Sequence, residues 1–197
     1  MSEVGMRRPA CAVLIAMFLP SPAVAQNPAN LLTNTAAESG VAGWIADGQA
    51  TVEEFEGNHC FVLRNGARFT QEVDLPVASA GKFVLFIGHV FGERTDRSGD
   101  ITDQPYLYGL TRSSDKRRIL LHNQAATMGG LSVPPGQWGK SWGVFQIPED
   151  SSSISYQLGQ GLRRGTDRDG SAARFDDLGL FIFNTREAAD AFVTRYR

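Results

Sequence analysis

The stretch that decides the fold is Ala173-Arg174-Phe175-Asp176-Asp177-Leu178-Gly179-Leu180-Phe181-Ile182-Phe183. In a strand built from it, Leu178, Leu180 and Ile182 share one face and phenylalanines occupy the other, so both faces are apolar. Strands of this kind are covered on both sides. Strict alternation also places Asp176 on the Leu178 face, where an ionised carboxylate needs hydrogen bonds or a metal ion to offset its lost hydration. The stretch therefore predicts a buried strand with an acidic side chain that points inward.

The rest of the chain repeats this pattern in shorter runs that are separated by polar, glycine-rich turns. Nine runs are predicted to be strands: Thr51–Phe55, Cys60–Leu63, Phe69–Leu75, Phe83–Phe91, Tyr106–Leu110, Ile119–His122, Gly143–Ile147, Ile154–Leu158 and Phe175–Phe183. One short helix is predicted after Thr185, because a capping threonine precedes alanines and aromatics at helical spacing. This composition of elements indicates an all-β sandwich or jelly roll with a short C-terminal helix.

Residues 1–25 have the features of an export signal. A positive pair, Arg7-Arg8, precedes an apolar run over 10–19 that is too short to span a bilayer, and Ala23-Val24-Ala25 has the form of a cleavage site. A membrane anchor that is retained in the mature protein is the alternative. The signal predicts a secreted or periplasmic protein with a single β-sandwich domain over 26–197 and no membrane span after the signal is removed.

Charge and cysteine content narrow the possible partners. Without the signal the chain has 17 basic and 20 acidic side chains, a net charge of −3, and its longest basic run is only Lys116-Arg117-Arg118. Nucleic acid is therefore not a predicted partner. Because Cys11 would leave with the signal, Cys60 has no disulfide partner, and the domain must rely on its core or on a bound ion.

One stretch matches the residue pattern of an enzyme motif but lacks the structural context that the motif requires. Gly139-Lys140-Ser141-Trp142-Gly143 matches the G-x-S-x-G nucleophile elbow, which requires a strand before it, a helix after it and a histidine later in the chain. A loop precedes this stretch, a strand pattern follows it, and no histidine lies beyond His122. The sequence therefore predicts no catalytic residue and a protein that is not an enzyme.

Five residues are candidates for binding sugars. Trp142 and Gln146 share one face of a predicted strand, Tyr106 and Tyr108 share a face of another, and Trp138 lies just before Trp142. An aromatic ring can cover the apolar C–H face of a sugar while an amide bonds its hydroxyl groups. Core or turn packing is the alternative role for each ring.

Two ends of the chain, read together, resemble a known family. Asn30-Leu31-Leu32-Thr33-Asn34, with Glu38-Ser39-Gly40 and Gly43-Trp44, resembles the N-terminal signature of jelly-roll carbohydrate-binding modules of the galactose-binding-like type. Phe175-Asp176-Asp177-Leu178-Gly179-Leu180 resembles their closing strand, and Phe69-Thr70-Gln71-Glu72-Val73 is similar to an internal one. The resemblance implies a jelly roll that extends from Asn30 to about Phe183 and binds a polysaccharide or glycan. Trp44, at the end of the N-terminal motif, is predicted to be a core residue and is not a sugar-binding candidate.

The same resemblance implies a structural calcium ion that bridges Glu38 and Asp176, with backbone carbonyls completing an oxygen shell. The alternative is that Asp176 accepts backbone N–H bonds.

The predicted function is an exported, non-catalytic carbohydrate-binding or accessory module. The alternative function is a structural or protein-interaction β-sandwich of the cell envelope, whose partner would be a protein.

Overall fold

The structure is a computed structural model that describes residues 28–93, 105–115, 119–124, 136–160 and 172–196. In these residues the chain forms eight strands and one helix, which agrees with the predicted all-β fold class and short C-terminal helix. They are β1 Ile45–Phe55, β2 Asn58–Asp74, β3 Phe83–Gly92, β4 Pro105–Ser113, β5 Ile119–Gln124, β6 Trp138–Gln146, β7 Ser151–Gln160, β8 Ala172–Phe183 and α1 Arg186–Val193. The predicted export signal lies outside the described residues.

All strand pairs are antiparallel, and the eight strands form one continuous hydrogen-bonded sheet that folds over at β2 into two layers, which we call the first and second sheets. The first sheet has the order β5-β4-β7-β2-β1 and the second has the order β6-β3-β8-β2-β1. Phe61–Arg64 of β2 pairs with β8, whereas Arg68–Asp74 pairs with β7, and β1 follows β2 along its length. The chain is therefore a jelly-roll β-sandwich, in which one 17-residue strand crosses from sheet to sheet.

The length of β2 differs from the prediction of two strands at Cys60–Leu63 and Phe69–Leu75. Asn65 and Gly66, between them, have φ angles of 54° and 76°. These left-handed conformations bend the strand without ending its pairing with β1, which resembles the effect of a β-bulge. The polar Arg-Asn-Gly segment therefore marks a bend between sheets and not a loop between strands.

The core lies between the two sheets. Its largest fully buried side chains include Phe61, Phe69, Phe86, Phe175 and Tyr156. Such a side chain contributes about 1.5 to 3 kcal/mol to stability through removal of its apolar surface from water. The Tyr156 hydroxyl is satisfied because it donates to the backbone oxygen of Ile87 at 2.8 Å. Trp44, predicted to be core, is 7% exposed and its ring centroid lies 4.9 Å from that of Phe61.

A bulge in β8 overturns the prediction that Asp176 points inward with Leu178. Asp177 has a φ of 46°, and the register of β8 against β3 shifts between Ile87 and His89. Phe175 lies in the core before the bulge and Leu178 lies in the core after it. Asp176 is therefore on the outer side of the second sheet, partly buried, because the extra residue reverses the alternation.

The first described residues are bonded to the last strand. The Asn30 side-chain amide donates to the Leu178 oxygen at 2.9 Å, and its oxygen accepts from the Leu180 N–H at 2.9 Å. The Leu31 N–H donates to the Leu180 oxygen at 2.9 Å. The N-terminal Asn-Leu-Leu motif thus acts as a clamp on β8.

Helix α1 packs on the outer side of the second sheet. The Thr185 hydroxyl caps it by accepting from the Ala188 N–H at 3.2 Å, as predicted. Its Phe192 ring lies 4.7 Å from that of Phe181 on β8. At its end, Lys140 of β6 donates to the Val193 oxygen at 3.2 Å. In the described part of the chain, no helix is long and apolar enough to cross a membrane.

Candidate functional site

The sandwich has two outer surfaces. We call the side of the first sheet that points away from the core the first face, and the corresponding side of the second sheet the second face. On β4, the core residue Leu107 alternates with Tyr106 and Tyr108, which lie on the first face. The two tyrosine ring centroids are 6.0 Å apart. The predicted pairing of these rings on one surface is therefore present in the structure.

The strand beside the tyrosines leaves room for them. Tyr106 pairs with Gly159 of β7, and Tyr108 pairs with Gln157. A Cβ atom on Gly159 would lie 2.0 Å from Cζ of Tyr106, so the ring lies over the glycine backbone. Farther across the sheet, Arg68 pairs with Gly159 and Thr70 pairs with Gln157. A ring, an amide, a hydroxyl and a guanidinium are thus neighbours on the first face.

The two tyrosines differ in exposure. Tyr108 is only 8% exposed, whereas Tyr106 is partly exposed. Burial raises the pKa of Tyr106, and the charge of Arg68 opposes that effect without cancelling it. The Tyr106 hydroxyl therefore stays protonated at neutral pH and can both donate and accept hydrogen bonds. Tyr106 is the better placed of the two rings to contact a ligand.

Charges on the first face occur in pairs. Arg68 Nη2 lies 2.5 Å from Asp47 Oδ2, and Arg112 Nε lies 3.9 Å from Glu72 Oε1. Ile45, next to Thr70 in the pairing of β1 with β2, is 65% exposed. This part of the face is therefore nearly neutral and offers an apolar patch beside polar groups.

Trp142 and Gln146 share a face of β6, but it is the second face. The core residue Phe145 alternates with them, and β6 is an edge strand of the second sheet. Trp142 is 41% exposed, and the Gln146 amide donates to the Gly81 oxygen at 2.9 Å. The structure does not bring these two residues together with the tyrosines, because the sandwich core separates the two faces.

Trp138 lies at a third position, at the start of β6. Its indole N–H donates to Glu56 Oε2 at 3.1 Å, and its ring centroid lies 5.6 Å from that of Phe91. The guanidinium of Arg174 covers the neighbouring Phe55 ring at 4.1 Å from its centroid. Trp138 therefore belongs to an aromatic cluster on the second face and does not extend the tyrosine surface.

The two predicted calcium ligands are electrostatic neighbours. Burial raises the pKa of Asp176, and the negative charges of Asp177 and Glu38 add to this effect. Asp176 Oδ1 accepts the Asp177 N–H at 2.8 Å, as the alternative without a metal expected. Glu38 is exposed, with Oε2 3.6 Å from His59 Nδ1. Among the described residues, no group of three or more His, Cys, Asp and Glu side chains is arranged to hold a metal ion.

Sequence reasoning missed several residues of both faces. Gly159 has no side chain to signal a role. Arg68 and Gln157 become neighbours of the tyrosines only because of the register in which β2, β7 and β4 pair. Glu56 reaches Trp138 from the turn between β1 and β2, 82 residues away along the chain. The polar alternation of Phe69–Leu75 was the one signal that could have placed Thr70 on the first face.

Comparisons with known proteins give fold neighbours only in the solved structures. No family model matches the chain, and no curated protein matches it. A family 16 carbohydrate-binding module is 18% identical, with a TM-score of 0.55 over 77% of this chain and 99% of the other. The tandem CBM22-1–CBM22-2 domain of Paenibacillus barcinonensis Xyn10C is 15% identical, with a TM-score of 0.50 over 83% of this chain and 48% of the other.

An enzymatic protein has the same fold within a larger chain. The enzymatically active domain of tailspike protein 4 from bacteriophage CBA120 is 10% identical, with a TM-score of 0.54 over 78% of this chain. The match spans only 21% of that tailspike chain. At these identities the likeness establishes the fold. The resemblance to jelly-roll carbohydrate-binding modules is therefore confirmed at the level of architecture.

Proposed function

We propose that this protein is a non-catalytic carbohydrate-binding module that binds a glycan on its first face. The observation that carries the proposal is the pair of tyrosine rings 6.0 Å apart, on a sandwich whose fold neighbours include carbohydrate-binding modules. Aromatic rings cover the apolar side of a sugar, and the adjacent amide and hydroxyl groups bond its hydroxyls. Tyr106 is the central contact, with Gln157, Thr70 and Arg68 as its polar neighbours.

The ligand of this face is a neutral polysaccharide. The two described cations of the face, Arg68 and Arg112, are paired with Asp47 and Glu72, so that an acidic sugar that binds to either of them would have to displace a carboxylate. One partly exposed ring and a few hydrogen bonds support an affinity on the order of micromolar to millimolar. In this proposal the described residues of this face hold and orient a chain and do not cleave it.

Trp142 and Gln146 form the second candidate surface for the same activity. Trp142 is the most exposed of the predicted sugar-binding aromatics, which favours it as a platform. Its Gln146 neighbour donates to the Gly81 oxygen, just as Gln157 on the first face donates to the Ser155 hydroxyl at 3.2 Å, so the first face is preferred for its additional polar neighbours Thr70 and Arg68. An exposed indole at an edge strand also fits the alternative function, in which the domain contacts another protein of the cell envelope.

Export and calcium remain part of the proposal. The signal over residues 1–25 directs the domain to the periplasm or the outside of the cell. Burial and, to a lesser extent, the negative charges of Asp177 and Glu38 raise the pKa of Asp176, and a calcium ion held by Glu38 and Asp176 would oppose both effects. Among the described residues no third side chain joins these two in an arrangement that could hold a metal, so backbone carbonyls would supply the remaining ligands. Chelator should then lower the melting temperature, and elemental analysis should find the metal in the purified protein.

The deciding experiment is a glycan array on the domain that begins at Gln26, followed by calorimetry with the best glycan. We expect binding to neutral polysaccharides that Tyr106→Ala weakens and Tyr108→Phe largely preserves, since Tyr108 is buried. Circular dichroism and thermal melts of each variant show whether the fold is intact. Absence of any glycan ligand, together with capture of an envelope protein that depends on Trp142, would favour the protein-interaction function instead.

A further inference from the structure

A pocket of about 250 Å³ opens on the second face, across the core from the tyrosine pair. Trp138 and Phe55 provide its aromatic lining. Glu56 and Asn58 reach it from the β1–β2 hairpin, and His89 reaches it from β3. The bulge of β8 adds carboxylates to the lining. An aromatic wall with several polar groups on one concave surface is the usual composition of a small-molecule site.

Several groups of this pocket hold one another in place, and Tyr196 supports them from outside the lining. The indole of Trp138 is fixed by its bond to Glu56 Oε2 at 3.1 Å. The Asp177 carboxylate lies 3.2 Å from His89 Nδ1, and its backbone oxygen accepts the Tyr196 hydroxyl at 2.8 Å. The strained φ of 46° at Asp177 aims this carboxylate away from the core. Little ordering is therefore required when a ligand enters.

The pocket carries excess negative charge. Glu56, Asp176 and Asp177 all line it, and within the described ranges no lysine or arginine forms an ion pair with any of them. Two basic side chains of the same face are held elsewhere: Arg174 pairs with Glu93, and Lys140 donates to backbone oxygens at the end of α1, not to a carboxylate of the pocket. Such a pocket attracts a cation and repels an acidic sugar.

We propose that this pocket is a second ligand site and that it binds a sugar ring bearing an ammonium group. The inference rests on the proposed carbohydrate-binding function and adds a site and a ligand class to it. The C–H face of the ring would lie on the Trp138 indole, and Glu56 and Asp177 would bind the ammonium group. Asn58 is available for a ring hydroxyl. The pocket has space for one ring, which indicates a chain end or a branch.

The proposal does not depend on calcium. Asp176 is the proposed metal ligand, whereas the ammonium group is assigned to Glu56 and Asp177. Titrations are therefore made both with excess chelator and with excess calcium. We expect the glucosamine trimer to bind more tightly than the glucose trimer in both conditions. The difference in affinity should be smaller with calcium, because the ion beside Asp176 adds positive charge.

Indole N–H resonances give a readout that is specific to this site. The chain has three tryptophans, Trp44, Trp138 and Trp142, and Trp138→Phe assigns the relevant peak. We expect a β-1,4-linked glucosamine trimer to shift the Trp138 peak and to leave that of the buried Trp44 in place. The N-acetylated trimer and a glucose trimer, which lack the charge, should bind about tenfold more weakly.

Two conservative variants test the assigned carboxylates. Glu56→Gln keeps an acceptor for the Trp138 indole, and Asp177→Asn tolerates the left-handed backbone. Each should weaken binding of the glucosamine trimer about tenfold, towards that of the glucose trimer. Glu149→Gln, which removes one negative charge in the turn before β7, is the matched control and should leave both affinities unchanged.

Three outcomes would overturn the proposal. They are equal binding of the acetylated and free-amine trimers, an unmoved Trp138 peak at saturation, and an equal shift with tetramethylammonium, which would indicate a simple cation site. If neutral glycans still bind in a Tyr106-dependent way in any of these cases, only this inference fails. If no oligosaccharide binds at either face, the proposed function fails with it.

Discussion

The two faces of the sandwich treat charge in opposite ways. On the first face, Arg68 meets Asp47 at the surface, where both side chains are at least half exposed. On the second face, Arg174 is 8% exposed, stacks on Phe55 and pairs with Glu93. Burial raises the pKa of Glu93, but its bonds to the Ala172 N–H and to Arg174 outweigh that effect and lower it.

The difference indicates which parts of each face are structural. Surface pairs such as that of Arg68 add little stability, so the first face can exchange contacts with a ligand at small cost. Arg174 is buried, although its partner Glu93 is 38% exposed, and its contacts with Phe55, Phe91 and Glu93 join β1, β3 and β8. Displacing Arg174 would therefore cost more than displacing Arg68. The Trp138 pocket beside Arg174 therefore has a rigid wall. A neutral polymer suits the first face, and a compact cation suits the second.

The largest expected effect is on stability. Arg174→Ala should lower the free energy of unfolding by about 2 kcal/mol, since it removes a buried guanidinium together with its stack on Phe55 and its pair with Glu93. Arg68→Ala, the matched change on the first face, should cost less than about 1 kcal/mol. Urea denaturation measures both. Equal losses would mean that Arg174 and Arg68 contribute equally to stability and that the two faces do not differ in this respect.

The next effect separates the two candidate glycan surfaces. Tyr106→Ala should weaken binding of a neutral polysaccharide about tenfold or more, because it removes the ring over Gly159. Trp142→Ala should have little effect if the first face is the site. Isothermal calorimetry compares the two variants, with thermal melts as the control for folding. The opposite ranking would assign the polysaccharide to the second face.

A smaller effect tests the calcium proposal through its sign. The pKa of Asp176 is raised in the folded state, so its charge opposes folding at pH values above that pKa and protonation relieves the cost as pH falls. With chelator present, Asp176→Asn should raise the melting temperature by about 2 to 4 °C. With saturating calcium it should lower it, since a ligand is lost. A stabilising effect in both conditions would remove Asp176 as a ligand.

The smallest effect concerns acid stability. The hydrogen bond from Arg64 lowers the pKa of Glu53 from 4.5 to about 2. The pair therefore stabilises the fold above pH 4.5, and this contribution is lost as pH falls towards 2. Its size is below about 1 kcal/mol because both side chains are partly exposed. Glu53→Gln should lower the melting temperature at pH 6 and have no effect near pH 2; an unchanged difference across this range would contradict the shift.

The sequence predicted the class of the fold because alternation is a local property. The runs around Phe69 and Phe83, the capped helix after Thr185 and the burial of Trp44 all follow from patterns within a few residues. The β8 bulge could not be predicted in this way. The residue with the positive φ is Asp177, and no glycine in the sequence marks this position as a bulge. The extra residue moves Asp176 from the predicted inner side of the sheet to the outer side.

The candidate sites were less predictable than the fold because register joins distant residues. Tyr106 and Tyr108 share a face by local parity, as predicted. Their separation from Trp142 depends on which sheet each strand joins, and nothing within β4 or β6 encodes that choice. The contact between Trp138 and Glu56 likewise depends on the folded arrangement, which places the start of β6 beside the turn between β1 and β2.

The clamp of Asn30 on β8 has a consequence for synthesis. The first described residues bond to Leu178 and Leu180, so the native pairing of the N-terminal segment waits until β8 has left the ribosome. Until β8 arrives, β3 and the first half of β2 each lack a neighbour and expose strand edges. Contacts of such high sequence separation close slowly, and the emerging chain is prone to aggregation in the meantime. Holding nascent chains unfolded until release should therefore raise the soluble yield.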